Sequence, residues 1–388
     1  MPRHLIPYFC IMEMPIYLDH NSTTPVDKRV LEGMLPYFSE KFGNAASRTH
    51  SYGWIAEEAV KKARQQVADL VNCIDREIIF TSGATESVNL ALKGVWEAYQ
   101  VKGKHIITVK TEHKAVLDTC ASLEKGGAEI TYLSVDREGL VDLGELKKAL
   151  RKDTILAAVM YVNNETGVIQ PIRQIADLVH QNGSIFFCDA TQAIGKVNVD
   201  VQDEGIDLMC ISAHKFYGPK GVGALYVRRR DPRVTLFPQM DGGGHERGLR
   251  SGTLNVPGIV GLGMACEIAE GEMWEDSARI SKLKAKLEQG LDILPGAFVN
   301  GSIKHRLFNT TNICFHGQRS ESIIKQIPNI AVAMGSACTS AIPEPSHVLK
   351  AMGLSEKDSY ASIRFSLGKN TTEADIKNVI ERFSKIIS

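Results

Sequence analysis

Between residues 78 and 227 the sequence returns seven times to a short apolar run, and helical spacing fills most of the intervals. The runs cover 78–80, 105–109, 129–133, 155–161, 184–188, 208–212 and 223–227; the helical stretches cover 54–71, 86–100, 115–125, 143–150 and 172–181. Strands that alternate with helices build an α/β domain around a mostly parallel sheet, because each return to a parallel neighbour needs a crossover. In such sheets ligands bind beyond the carboxyl ends of the strands. The residues just after each run are therefore where chemistry is to be sought.

The pattern changes after the glycines at 242–244. A helical stretch over 256–291 follows, expected to break near Glu272. Short strands at 308–315, 330–333 and 362–366 alternate with helices at 321–326 and 372–387, which reads as a smaller α+β domain. A chain of 388 residues exceeds one compact core. The expected division is an N-terminal extension over 1–14, a large domain over 15–262 and a small C-terminal domain over 263–388.

Lys plus Arg and Asp plus Glu balance at 45 each, so net charge attracts no polyanion and no stable nucleic-acid binding is expected. The run Arg228-Arg229-Arg230, with Arg233, reads as a solvated face. No stretch of about 18 apolar residues suggests a membrane span. The first 13 residues lack the basic, apolar and small-residue regions of a secretory signal, and Met14 opens a segment that reads as a chain start. The eight cysteines form no C-x-x-C pair and no regular framework. A reducing compartment, the cytoplasm, is expected.

Five features carry chemistry. Thr81-Ser82-Gly83-Ala84-Thr85-Glu86-Ser87 follows a run and opens a helix, which suits an anion such as a phosphate as well as a plain N-cap. Asp189 ends another run, with Gln192 three residues on. A carboxylate there is either a turn residue or the partner of a pyridine nitrogen. Ser212-Ala213-His214-Lys215 ends a third run, ahead of a glycine-rich loop. A lysine anchored at a strand end can hold a carbonyl cofactor covalently. His113, in Thr111-Glu112-His113-Lys114, can stack on a cofactor ring and move protons. A metal at His113 lacks a second ligand at the right spacing, so no metal site is expected. Finally, Cys338 sits among small residues in Gly335-Ser336-Ala337-Cys338-Thr339-Ser340, where its thiolate can act as a nucleophile. The other cysteines mostly sit in apolar patterns and read as small buried hydrophobes.

Taken together these segments, with Tyr17-Leu18-Asp19, Thr23-Thr24-Pro25, Val162-Asn163-Asn164-Glu165 and residues 242–253, resemble the cysteine desulfurases over about 15–372. These are pyridoxal-phosphate enzymes of the class-V aminotransferase family, and the Cys338 motif resembles the long-loop subclass. The resemblance implies fold-type I, the aspartate-aminotransferase architecture. It implies removal of sulfur from L-cysteine, giving L-alanine and a persulfide on Cys338. Lys215 would anchor the cofactor, Asp189 pair with its ring nitrogen, Gln192 reach its ring hydroxyl and His113 stack on the ring. Ala84, Thr85, Ser212 and His214 would hold the phosphate region, and Thr253 would complete it from a second subunit of a homodimer. Asn164 would lie beside the cofactor and, with Arg364, would bind the substrate carboxylate. Cys338 would also be the residue able to ligate an iron–sulfur cluster transiently.

The resemblance departs at the end of the chain. Many long-loop members continue into a tail that contacts an iron–sulfur scaffold protein, whereas this sequence stops at Ser388, just after its last expected helix. The sulfur acceptor is thus left open among a scaffold for iron–sulfur cluster assembly, transfer-RNA thiolation, another cofactor pathway and a dedicated carrier. Rival readings are an aminotransferase or selenocysteine lyase on the same fold, and a non-catalytic partner in sulfur transfer.

Overall fold

The computed structural model describes residues 15–334 and 345–387. The extension over 1–14 and Cys338 with its motif lie outside the described residues. At the centre is a seven-stranded sheet in the order Ile78–Thr81, Gly223–Val227, Leu208–Ser212, Ile185–Asp189, Thr154–Ala158, His105–Val109, Glu129–Leu133. Only Gly223–Val227 runs against its neighbours. The other six strands point the same way, so their carboxyl ends share one edge.

The side-chain period of two sorts each strand between two cores. Ile107, Ala157, Phe186, Cys188, Met209 and Tyr226 face one core; Ile106, Leu156, Ala158, Phe187, Leu208 and Leu225 face the other. The first is covered by helices Ser51–Leu70, Ile172–Gln181 and the start of Val256–Asp292, the second by Ala84–Tyr99 and Lys114–Lys125. Burial on both faces explains why the strands other than the edge strand Glu129–Leu133 are apolar runs and not alternating ones.

Two expectations change. Helix Val256–Asp292 continues through Glu272 without a break. Gly271 stays helical there, and Arg29 and Lys369 pair with the Glu272 carboxylate, at 2.8 Å for Lys369, fixing the outer face of the turn. The expected division at residue 262 thus falls within one helix. The basic run is also not uniformly solvated. Arg228 is buried, bridged to Asp207 at 3.2 Å and donating to the carbonyls of Val201 and Ile206.

A third core joins the second half of that long helix to the antiparallel sheet Ser362–Ser366, Thr310–Phe315, Ala297–Val299 and to helix Glu373–Ile386. The strand Ile16–Tyr17 pairs in parallel with Ile330–Ala331, and His20 N–H donates to the Ser366 carbonyl. This C-terminal layer therefore carries residues 16–22 to the edge of the central sheet. Among the described residues no helix is long and apolar enough to cross a membrane.

The loop over 242–253 is moored from beneath. Glu246, fully sequestered, takes a bidentate pair from Arg64 and the Phe80 N–H. Arg250 bonds Glu86 in the first turn of helix Ala84–Tyr99 at 2.7 Å.

Candidate active site

A cavity of about 790 Å³ opens at the carboxyl ends of five of the six strands that point the same way, all but Glu129–Leu133. Ala84, Thr85, His113, Asn164, Asp189, Gln192, Ser212, His214, Lys215 and Arg364 all line it. Of the residues expected at the site, Thr253 does not; it is exposed on the loop over 242–253.

One wall is the start of helix Ala84–Tyr99. Gly83 precedes it at φ 149°, a backbone that a side chain would strain. The first strand residue Gly223 packs so tightly here that a Cβ would stand 2.7 Å from the Gly83 Cα. Ser82 N–H is taken by the Glu86 carboxylate at 2.8 Å. No acceptor among the described residues takes the Ala84 and Thr85 N–H groups, which with Ser212 and His214 make a cradle for an anion. Burial first, then Lys215 and Lys220, pull His214 down to about 4, so its ring is neutral and the cradle needs no charge from it.

Lys215 stands opposite. Its Nζ donates to the carbonyls of Asn21 at 2.7 Å and Ser22 at 2.8 Å, so two acceptors aim the amine. Burial, aided by Arg364 and opposed by Asp189 and Asp19, lowers it to about 8. About a tenth is then the nucleophilic free amine at pH 7, far more than for an ordinary lysine. Asp189 ends its strand buried, its Oδ1 accepting the Thr191 N–H at 3.0 Å and the Cys210 thiol at 3.1 Å. Burial pushes Cys210 well up, so the sulfur keeps the proton that it donates.

His113 caps helix Lys114–Lys125, its Nδ1 accepting the Ala115 N–H at 3.1 Å. Although the residue is open to the cavity, desolvation by the surrounding protein lowers its pKa, and Lys215 and His347 lower it further against Asp189. The neutral ring then carries its proton on Nε2. Behind it Glu112 is enclosed, with Oε1 on the Met160 N–H and burial pushing its carboxyl well up.

Arg364, 2 % exposed, bonds the Asp19 carboxylate at 2.6 Å and the Asn164 carbonyl at 2.9 Å. The fork expected for a carboxylate is thus partly engaged, leaving Nε and one hydrogen on each terminal nitrogen. The residues that sequence reasoning passed over are those without a side-chain signature. They are the Asn21 and Ser22 carbonyls, the Cys210 thiol, and Lys196, whose Nζ donates to Gln192 Oε1 at 2.6 Å.

An anion cradle, a strand-end carboxylate and a partly deprotonated lysine around one cavity fit pyridoxal phosphate: phosphate, ring nitrogen and aldehyde each find a complementary group. The aminotransferase class-V family matches residues 16–379. A cysteine desulfurase IscS of Anaeromyxobacter sp. (strain Fw109-5) is 55% identical over 370 residues, 95% of this chain and 91% of that protein. A solved NifS-like protein is 40% identical with a TM-score of 0.90, over 96% of this chain and 99% of its own. A structure of SspA in complex with cysteine is 38% identical with a TM-score of 0.81, over 91% of this chain and 98% of its own. With the geometry and the kinship in agreement, the chain belongs to the class-V aminotransferases and, within them, to the pyridoxal-phosphate-dependent cysteine desulfurase family.

Proposed function

We propose that this chain removes sulfur from L-cysteine, releases L-alanine and holds the sulfur as a persulfide on Cys338. The observation that carries the reading is the meeting of Lys215, Asp189 and the Ala84 helix start at one cavity. The Ala84 and Thr85 N–H groups, Ser212 and His214 hold the phosphate. Asp189 faces the ring nitrogen, Gln192 a ring oxygen and His113 the ring face. Asn164 and Arg364 take the substrate carboxylate. When bound, the cofactor supplies the electron sink that makes a proton on the substrate Cα removable.

Lys215 Nζ takes that proton. The Cys338 thiolate then attacks the substrate sulfur: a sulfur–sulfur bond forms, and the carbon–sulfur bond breaks with its electron pair leaving on carbon. Protonation of that Cβ, and return of the proton from Lys215 Nζ to Cα, complete L-alanine. Pro345 and His347, which follow Cys338 in sequence, line the cavity, and Ser346 Oγ donates to the buried Glu165 carboxylate at 2.5 Å. These contacts support delivery of Cys338 to the substrate. Incubation with L-cysteine tests the reading: alanine and sulfur should appear in equal amounts, whereas a keto acid in place of alanine would show an aminotransferase.

The active form is a homodimer with shared sites. Leu35, Phe38, Phe42, Tyr52 and Trp54 are all at least half exposed within a 20-residue span, a patch suited to an isologous contact. Thr253, exposed on the moored loop, then completes the phosphate cradle of the second subunit. Mixing Lys215→Ala and Thr253→Ala chains should restore activity, because one site of each mixed dimer carries both defects and the other neither. Exchange of subunits without such recovery would refute the shared site. The acceptor is a sulfur-carrier or iron–sulfur scaffold protein, and six described cysteines, all free, suit a reducing cytoplasm.

A further inference from the structure

We propose that Lys196 is a positioning residue for the bound cofactor, acting through Gln192, whose amide it holds with a free N–H on the cavity side. The inference rests on the cavity being the pyridoxal-phosphate site. Gln192 is 3 % exposed and forms part of the cavity wall. Its Oε1 accepts from Lys196 Nζ at 2.6 Å and its Nε2 donates to the Asn21 carbonyl at 2.8 Å.

The Asn21 carbonyl only accepts, so the amide nitrogen must face it, and Lys196 donates to the oxygen at the other end whether as ammonium or as amine, so the amide is fixed. A flipped amide would set N–H groups against the ammonium and an oxygen against the carbonyl. In the fixed orientation Nε2 keeps one hydrogen that no acceptor among the described residues takes. That hydrogen is the donor offered to a ring oxygen.

Lys196 is otherwise hard to account for. It is 7 % exposed, and no carboxylate among the described residues pairs with it. Burial and the like charges of Lys215 and Arg364 pull it down to about 7. A buried cation without a counter-charge destabilises the fold, and an apolar residue would fill the place without that penalty. Its one acceptor among the described residues is the Gln192 oxygen, so the role assigned to it is to orient that amide.

The test is the pH titration of visible absorbance in cofactor-loaded protein. A donor to the ring oxygen favours the deprotonated form, so its loss raises the midpoint. K196M should raise it by about one pH unit, Q192A by at least as much, and the double variant no more than Q192A alone. An unmoved midpoint in K196M would overturn the proposal. So would a K196M shift that persists in full on the Q192A background, because Lys196 would then act as a bare charge. Should K196M fail to fold, K196Q takes its place in the same cycle. Reductive trapping of the wild-type cofactor separates the two readings: trapping on Lys215 with an unmoved K196M midpoint strikes the positioning role alone, and no trapping strikes the cavity assignment itself.

Discussion

A Lys215→Ala chain should lose covalent attachment of pyridoxal phosphate, and its turnover should fall by about four orders of magnitude or more, since the proposed function makes this one residue both anchor and base. The structure gives Lys215 what both tasks need: two carbonyls aim the amine, and burial with Arg364 brings it to about 8. Non-covalent retention through the anion cradle should persist, because Ala84, Thr85 and Ser212 are untouched. Visible absorbance and borohydride reduction followed by peptide mapping provide the readout. A normal absorbance band with the reduced adduct on Lys196 or Lys220 would sink the assignment. Lys196 is the sharper control, being a second buried amine pulled down to about 7.

Replacing Cys338 with alanine should leave the opposite pattern. The cofactor stays trapped on Lys215, while turnover drops by at least about a thousandfold and no persulfide forms. The labour is divided: the cofactor makes the Cα proton removable, and only a thiolate takes the sulfur. The described cysteines make poor substitutes. Cys188, Cys210 and Cys266 are buried, and burial pushes their thiols up and keeps them protonated. Mass spectrometry after brief exposure to L-cysteine should place the added sulfur on Cys338 in the parent chain. Sulfur mapped to another cysteine, or near-normal alanine release by the variant, would end this reading.

Much of this architecture is legible locally. The runs at 105–109, 208–212 and 223–227 coincide with observed strands, because residues buried on both faces of a sheet must be apolar whatever the topology, and the run at 129–133 coincides with the half-buried edge strand. The run at 155–161 overshoots for an instructive reason. The strand ends at Ala158, and the chain then enters the site still buried, with the Met160 N–H on Glu112. Apolar character reports burial, not hydrogen-bonded pairing. The chemistry-bearing strand ends were likewise legible, since Lys215, Asp189 and His113 each follow a run. The supporting contacts were not. Cys210 reads as an apolar strand residue, and only the pairing of its strand with that of Asp189 turns its thiol to the carboxylate. The Asn21 carbonyl, which accepts from both Lys215 and Gln192, has no signature in any alphabet of side chains.

That shared carbonyl bears on how far the protein can be dissected. It sits on a segment stitched to the C-terminal layer, through Leu18 on Ala331 and His20 on Ser366. A fragment trimmed to the central sheet would keep Lys215, Asp189 and His113 and still lack the acceptors that aim the lysine. Residues 16–22 and the C-terminal layer form one clamp across the reactive face. Fusions, permutations and split versions of this enzyme should therefore leave that clamp whole and open the backbone at a remote bend, such as Gly127, where an added Cβ would touch nothing within 4 Å.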